Sequence, residues 1–297
     1  MEPIIELLDQ TKKWFDPSLE GIYDEKSKDF LTAKASMYSL TSGGKRVRPC
    51  FMYVVGKMLN ADMDDVLVFA RSLEMIHTYS LIHDDLPCMD NDDLRRGKPT
   101  CHKVYGDNFA TLAGDCLLNR AAELVLKLVV KKPQYAFAAY KMFECSGIDG
   151  MLGGQDLDLT SMGQKISAEV LHELHERKTG ALLEAAICTP VYLVDGDTPS
   201  EILRILTNLS KNIGLAFQIK DDILDLTADE ETLGKTSGKD IRDDKPTYAT
   251  VYGIERAKLM MEAELDTAYN NLDSLEYYGC DTKELRLIVD YVASRDR

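Results

Sequence analysis

Two clusters of aspartates stand far apart in the sequence, at residues 84–90 and 221–225, and each contains three carboxylates. Both are followed by basic residues, which are Arg95, Arg96 and Lys98 after the first and Lys235, Lys239 and Lys245 after the second. Carboxylates are preferred ligands of Mg²⁺, and protein sites for this ion usually complete its coordination with substrate phosphates. The basic residues suit the remaining charge of a polyphosphate. Two segments of the same design therefore predict a site for Mg²⁺ and a diphosphate.

The second cluster has the spacing of one helix face. Asp221 and Asp225 are four residues apart and share a face, and Gln218 joins them from one turn earlier. Polar groups in an otherwise apolar stretch are costly to bury without partners. A solvated acidic face is the alternative for this segment taken alone, and the apolar residues on both sides of it argue against that alternative.

The first cluster needs a break in the helix. Asp84 and Asp90 are six residues apart, which places them on different faces of a continuous helix. Pro87 disfavours such continuation. We therefore expect the helix to end near Asp85 and a turn to bring Asp90 back toward Asp84. His77 lies two turns before Asp84 on the same face, and both a core role and a substrate contact remain open for it.

Two further segments combine small residues with cations. Residues 43–49 begin with two glycines, which permit a sharp turn, and continue with three cations before a helix expected to start near Pro49. The start of a helix favours anions, although a solvated basic loop is the alternative. Residues 176–180 place Lys178 and Thr179 inside an apolar helical stretch, and by themselves they predict little.

Helical periodicity extends over most of the chain. Apolar residues in 66–81 recur at the spacing of one helix face, and residues 108–130, 168–192, 201–226 and 247–272 show the same pattern. Alternating strand patterns of useful length are missing, and no stretch has the composition of a linker. The sequence predicts an all-α protein with a single domain over residues 1–297 and roughly ten or more helices of typical length.

The composition narrows the class of protein. Apolar residues make up 45% of the chain, and the net charge is −15. This negative charge argues against a nucleic-acid partner, which requires a basic face. It would also repel an anionic substrate, unless bound divalent cations reverse the local charge at the site. There is no apolar run of 18 residues and no secretory signal, so we expect no membrane span. Seven cysteines without paired spacing predict reduced, buried thiols in a cytosolic protein.

The motifs together resemble one family. Residues 79–100 resemble the first aspartate-rich motif of the short-chain trans-polyprenyl diphosphate synthases, with the two-residue insertion of the bacterial and plastid branches, and residues 214–225 are similar to the second motif. Residues 43–49, 112–115, 153–158 and 178–180 match further motifs in the family's order and spacing. The resemblance covers nearly the whole chain. It implies an isoprenoid-synthase-type helical bundle around a central cavity, and a homodimer.

The activity that the resemblance implies is a head-to-tail prenyl transfer that depends on Mg²⁺. An allylic diphosphate ionises, isopentenyl diphosphate attacks the cation through its double bond, and a proton is then lost to the departed diphosphate. Such ionisation needs electrostatic stabilisation of the leaving group. Three other functions fit these motifs less well. A terpene cyclase needs no isopentenyl site, and a non-catalytic partner subunit tends to lose the aspartate motifs, both of which this chain keeps. A helical Ca²⁺-binding protein needs a loop spacing that is absent here.

Roles follow from the resemblance residue by residue. Metal ligands would be Asp84, Asp90 and Asp221, with Asp85 and Asp225 in support. The allylic diphosphate would be held by Arg95, Lys178, Lys235 and Lys245. Isopentenyl diphosphate would be held by Lys45, Arg48, His77 and Arg96. Thr179 and Gln218 would present oxygens to the developing cation. Arg295 and Arg297 would either close over the site or fray with the chain end.

Product length is the most specific property that the resemblance predicts. In this family, the residue five positions before the first aspartate helps to form the floor of the product tunnel. Here it is Tyr79, followed by Ser80. A bulky ring at this position predicts a fifteen-carbon product, farnesyl diphosphate. The runner-up is a twenty-carbon product, geranylgeranyl diphosphate, since plastid enzymes with a very similar motif carry a smaller residue there.

Overall fold

A computed structural model describes residues 2–194, 200–227 and 246–294. Within these ranges the chain folds as a helical bundle, which confirms the predicted all-α class. The predictions made for Lys235, Lys239, Lys245, Arg295 and Arg297 lie outside the described residues.

Helices account for nearly all the described structure. They are α1 (Glu2–Phe15), α2 (Leu31–Leu40), α3 (Val47–Met58), α4 (Met63–Asp84), α5 (Cys101–Tyr105), α6 (Asp107–Lys131), α7 (Ala136–Ser146), α8 (Met151–Ser161), α9 (Ala168–His175), α10 (Ala181–Cys188), α11 (Ser200–Thr227), α12 (Tyr248–Tyr252), α13 (Ile254–Tyr277) and α14 (Lys283–Ser294). Short 3-10 turns cover Asp16–Leu19, Pro133–Tyr135 and Thr189–Leu193, and a π-helical turn covers Glu176–Gly180. The short strands β1 (Leu94–Arg95) and β2 (Lys98–Pro99) form an antiparallel hairpin.

The long helix α4 lies near the middle of the bundle. It starts at the N-cap Asp62, whose carboxylate accepts hydrogen bonds from the backbone N–H groups of Asp64 and Asp65. Residues on several of its sides are buried because it packs against α3, α6 and α10. Its last residue is Asp84, so the core packing of α4 fixes where the first aspartate cluster begins.

Two predicted helices are interrupted in the structure. The stretch 168–192 contains the π turn Glu176–Gly180 between α9 and α10. The stretch 247–272 is divided at Gly253, whose φ of 79° ends α12 and starts α13. Apolar periodicity does not reveal either interruption, since the apolar face continues across both.

Buried apolar residues from α1 through α14 form one contiguous cluster, and a smaller cluster joins α9, α11, α12 and α13. On this basis we propose that the chain is a single domain. No helix in the described ranges has the length and hydropathy needed to cross a membrane.

The seven cysteines form no disulfide in the structure, and the prediction that they are buried was wrong for Cys88, while Cys116, Cys145 and Cys280 are partly buried. Cys50, Cys101 and Cys188 are buried, whereas Cys88 is exposed. Cys88 follows Pro87 in the loop where α4 has ended, so it has no apolar helix face on which to pack.

Candidate active site

The chain turns back on itself after α4 and brings the first aspartate cluster together. The helix ends at Asp84, and Asp85 caps it. The backbone N–H of Asp90 then donates to the carbonyl of Asp84 at 2.8 Å. This contact is the predicted return of Asp90 across the break at Pro87.

The two carboxylates of this turn affect one another. Partial burial raises the pKa of Asp84 to about 6, the nearby cation of Lys178 acts in the opposite direction, and the carboxylate of Asp90 raises it further. No group of three potential metal ligands comes together within the described residues. Since Mg²⁺ is commonly held by one or two carboxylates plus substrate phosphates, the Asp84–Asp90 turn fits a site that the substrate completes.

Arg95 is tied to the same turn from the β-hairpin. Its Nε and Nη2 donate to the carboxylate of Asp85 at 2.6–2.9 Å. Burial opposes the cation, but the Asp85 carboxylate outweighs this effect and raises the pKa of Arg95. Asp85, expected to support a metal, therefore holds Arg95 at the edge of the cluster.

The second cluster lies on α11 and is linked to the π turn by hydrogen bonds. Thr179 Oγ1 donates to Gln218 Oε1 at 2.8 Å, and Gln218 Nε2 donates to Asp222 Oδ1 at 2.8 Å. The backbone N–H of Tyr248 donates to Asp222 Oδ2 at 2.8 Å. Sequence spacing placed Gln218 with Asp221 and Asp225. In the structure its hydrogen-bonding partner is the buried Asp222, one full helical turn further on.

Glycines allow two helices to approach the π turn closely. A Cβ on Gly154 in α8 would collide with the backbone N of Lys178, and a Cβ on Gly214 in α11 would lie 3.0 Å from the Cα of Gly180. The π turn therefore lies between α8 and α11. Lys178 Nζ donates to Asp158 Oδ2 of α8 at 2.6 Å, and π turns of this kind are frequent at functional sites.

The residues predicted to hold isopentenyl diphosphate line one cavity of about 490 Å³, which we call the basic cavity. Its lining includes all four of them, Lys45, Arg48, His77 and Arg96. Arg96 reaches the cavity from the β-hairpin, where its Nη1 donates to the carbonyl of Gly43. A Cβ on Gly44 would lie 2.7 Å from Arg96 Nη1, and the φ of 132° at Gly44 is one that favours glycine.

His77 is a neutral group inside this cluster of cations. Its Nε2 lies 3.4 Å from Arg48 Nη1 and accepts a hydrogen bond from it. Burial and the neighbouring cation of Arg48 together hold the pKa of His77 well below its usual range. A neutral ring places no further positive charge beside Arg48.

A second cavity of about 380 Å³, which we call the central cavity, adjoins the basic cavity. Arg48 and His77 line both cavities. The central cavity is otherwise bordered by polar groups around Asp84 and by apolar side chains, namely Tyr79, Ser80, Asp84, Lys178 and Thr179 together with Leu86, Met89, Met151 and Leu182. Lys178, from the predicted allylic set, and the four predicted isopentenyl residues therefore lie on two neighbouring cavities with a shared wall, whereas Arg95 lines neither of the two.

Tyr79 is 4% exposed and lies against this central cavity. Its ring packs edge-on against His83 at 5.8 Å between centroids, and its hydroxyl has no hydrogen-bonding partner among the described residues. Burial raises the pKa of Tyr79 to about 12. Ser80 also borders the cavity, and its hydroxyl donates to the carbonyl of His77 at 2.9 Å.

Comparison with known proteins places the chain in a family. A family model described as polyprenyl synthetase matches residues 30–277. The chain belongs to the polyprenyl synthetase family. The farnesyl diphosphate synthase of Bacillus subtilis is 40% identical to it over 266 residues, which cover 89% of this chain and 88% of that protein. The chloroplastic geranylgeranyl pyrophosphate synthase of Capsicum annuum is 41% identical over 269 residues, which cover 89% of this chain and 71% of that protein.

A solved structure shares the fold of this polyprenyl synthetase. The geranyltransferase of Helicobacter pylori, complexed with magnesium and isoprenyl diphosphate, matches with a TM-score of 0.82 and 30% identity over 98% of this chain and 94% of that chain. The match confirms the predicted isoprenoid-synthase-type architecture.

Sequence reasoning assigned no role to three charged residues at the site of this polyprenyl synthetase. Asp158 pairs with Lys178, Asp222 holds Gln218, and Arg46 is buried in ion pairs with Asp16 and Glu74. Asp158 stands in the recognised motif 153–158, which was a usable signal. The partners of Arg46 lie far away in the sequence, and no local pattern indicates them.

The stability of the protein should depend on pH through His175, which precedes the π turn. This residue is buried, and neither ring nitrogen has a hydrogen-bonding partner among the described residues. Burial lowers the pKa of His175 to about 3, against about 6.5 in an unfolded chain. Below pH 6.5 the unfolded state therefore binds the extra proton, and the free energy of unfolding falls as the pH drops toward 3.

We expect this single group to remove roughly 2 kcal/mol from the free energy of unfolding between pH 7 and pH 5. Urea denaturation at both pH values should show that His175→Phe reduces the loss by about that amount. His172→Phe, at an exposed position one turn earlier, serves as the control and should keep the native dependence. An equal loss in the native protein and in His175→Phe would contradict the assignment.

Proposed function

We propose that the protein condenses isopentenyl diphosphate head-to-tail with dimethylallyl diphosphate and then with geranyl diphosphate, in the presence of Mg²⁺, to give farnesyl diphosphate. The observation that carries this proposal is the pair of adjoining cavities. Four cavity-lining residues expected to hold isopentenyl diphosphate lie on one of them, and the first aspartate turn lies on the other. Membership of the polyprenyl synthetase family supports the same activity.

In this mechanism the basic cavity binds and orients isopentenyl diphosphate. Lys45, Arg48 and Arg96 offer charge-assisted hydrogen bonds to its phosphate oxygens. Because Arg48 and His77 also border the central cavity, the double bond of the bound substrate can extend past them toward the allylic carbon. Holding the two reactants in neighbouring cavities replaces an encounter in solution with an oriented one.

Asp84, Asp90 and Asp221 would hold the Mg²⁺. When bound, the metal supplies positive charge to the departing diphosphate of the allylic substrate. Arg95 and Lys178 add their own positive charge to the same leaving group. The hydrogen-bonding partners of these cations, Asp85 and Asp158, keep each side chain oriented toward the first cluster before substrate arrives.

Thr179 and Gln218 act on the allylic cation that ionisation leaves. Thr179 borders the central cavity, and because its hydroxyl hydrogen is donated to Gln218, its remaining lone pairs are available to a positive centre. Apolar side chains such as Leu86, Met151 and Leu182 exclude water from the same space. The proton lost after condensation goes to the departed diphosphate.

A product of fifteen carbons is the finer part of the proposal, and the Tyr79 ring beside the central cavity supports it. The alternative product is geranylgeranyl diphosphate, which one observation favours: the Capsicum annuum relative, a geranylgeranyl pyrophosphate synthase, is as similar to this chain as the Bacillus subtilis relative is. A homodimer belongs to the same proposal. It is supported by exposed apolar side chains on α6 and α7, including Leu126, Val130 and Phe137.

The proposed activity is tested by incubating the protein with dimethylallyl and isopentenyl diphosphates and Mg²⁺, followed by chromatographic sizing of the products. We expect a C15 product. Asp84→Asn should lower kcat/KM by roughly 10²-fold or more, because a lost metal ligand removes several kcal/mol of leaving-group stabilisation. Asp266→Asn, at an exposed position on α13, should match the native protein. No product longer than C5 would reject the enzyme, and native activity in Asp84→Asn would reject the metal role.

Product length is tested at Tyr79 with a matched pair of variants. Tyr79→Ala removes the ring from the wall of the central cavity and should lengthen the product beyond C15. Tyr79→Phe keeps the ring and removes a hydroxyl that has no partner among the described residues, so its product should stay at C15. Product chromatography would contradict the role of the ring if Tyr79→Ala still made C15 alone, or if the native protein made C20.

A further inference from the structure

Arg46 stands between two residues predicted to bind diphosphate, but its guanidinium is committed to the protein. Nε donates to Asp16 at 2.9 Å, Nη1 to Glu74 at 2.9 Å, and Nη2 to the carbonyl of Leu40 at 3.0 Å. The side chain is 3% exposed, and the guanidinium also lies over the ring of Phe15. Arg46 therefore joins the segment after α1, the end of α2 and the middle of α4.

The backbone of Arg46 determines how α3 begins. Its φ is 54°, in the left-handed region that residues other than glycine rarely adopt. As the N-cap of α3, its carbonyl accepts the N–H of Cys50 at 2.9 Å. Lys45 comes directly before this residue, and Arg48 lies in the first turn after it. A conformation of this kind persists when surrounding contacts hold it, and the buried guanidinium supplies those contacts.

Glu74 connects this segment to α4 at the level of His77. It is 2% exposed, lies one turn before His77, and lines the basic cavity. A buried carboxylate beside an anion-binding cavity would repel the ligand unless a cation offsets its charge. Arg46 is that cation, so the pair leaves the charge of Lys45, Arg48 and Arg96 available to an anion.

We propose that Arg46 and Glu74 form a positioning pair for the isopentenyl diphosphate site. The pair holds the segment 43–48 in its left-handed turn against α4 and offsets the negative charge of Glu74. Both residues border the basic cavity, but each side chain is only 3% exposed and is bonded to the protein, so the pair acts through Lys45, Arg48 and Arg96. The proposal rests on the proposed function, because it assigns the basic cavity to isopentenyl diphosphate.

The pair should affect the binding of isopentenyl diphosphate and not that of the allylic diphosphate. The groups expected on the allylic side are the metal ligand Asp84 and the cations Arg95 and Lys178, and within the described residues none of them forms a hydrogen bond or ion pair with Arg46 or Glu74. Loss of the pair is therefore expected to weaken isopentenyl diphosphate binding and to leave the KM of the allylic substrate nearly unchanged.

The decisive variant is the double substitution Arg46→Gln/Glu74→Gln, which removes both charges together. Each single substitution would leave one buried charge unpaired and would destabilise the fold for that reason alone. The matched control is Lys57→Gln/Glu284→Gln, which removes an ion pair of the same length, 2.9 Å, whose side chains are 39% and 35% exposed.

Three quantities are measured for each protein: the melting temperature, the Kd of isopentenyl diphosphate by calorimetric titration, and KM and kcat for each substrate. We expect the double variant to raise the Kd and KM of isopentenyl diphosphate about tenfold or more, a loss on the scale of one charge-assisted interaction. The KM of the allylic substrate should change less than about threefold, and the control should match the native protein in all three.

Arg46→Lys provides a second test that keeps the buried charge. It retains a cation for Glu74 but loses the fixed fork that reaches Asp16 and Leu40. Its KM for isopentenyl diphosphate should rise at least about threefold, while the KM of the allylic substrate should stay nearly unchanged. This variant decides the matter if the double variant does not fold.

Native isopentenyl diphosphate binding in a folded double variant, or in Arg46→Lys, would overturn the positioning role. Equal increases in the KM of both substrates would also overturn it, because they indicate a general loss of structure. Failure of the native protein to bind isopentenyl diphosphate would instead reject the proposed function, and the role of the pair with it.

Discussion

Charges that enter the interior of an apolar helical bundle must be paired, and this requirement organises the protein. Arg46 pairs with Glu74, Arg95 with Asp85, and Lys178 with Asp158, each joining two different elements of the fold. The buried imidazoles His77 and His175 have lowered pKa values instead, so they stay neutral. Removal of one partner would leave the other with an unpaired buried charge, which strongly destabilises a fold. These pairs therefore fix both the packing and the places where an anion can bind.

Close approach of helices gives the paired charges their positions. Glycines at 154 and 214 let α8 and α11 approach the π turn that carries Lys178 and Thr179. Gly44 likewise lies directly against the guanidinium of Arg96, which arrives from the β-hairpin. Side chains at 154 and 214 would meet the backbone of the π turn, so these small residues and the charged ones contribute to a single arrangement.

Local patterns predicted the fold class and the return of Asp90 to Asp84, because periodicity and the break at Pro87 act over a few residues. They did not predict which aspartate Gln218 would contact, since positions three and four residues ahead lie on nearly the same face and Tyr248 helps to orient Asp222. The π turn and the burial of Arg46 depend on partners distant in sequence. Contacts of that kind form only when the whole bundle packs.

Separate sites for the two diphosphates are tested most directly by calorimetric titration with each substrate alone, in Mg²⁺ and in EDTA. The cations of the basic cavity need no metal to attract an anion, so isopentenyl diphosphate should bind with a similar Kd in both buffers. Geranyl diphosphate, expected beside the aspartate clusters, should lose most of its affinity in EDTA. Equal metal dependence for the two substrates would contradict a division of the site into a basic cavity and a metal-binding one.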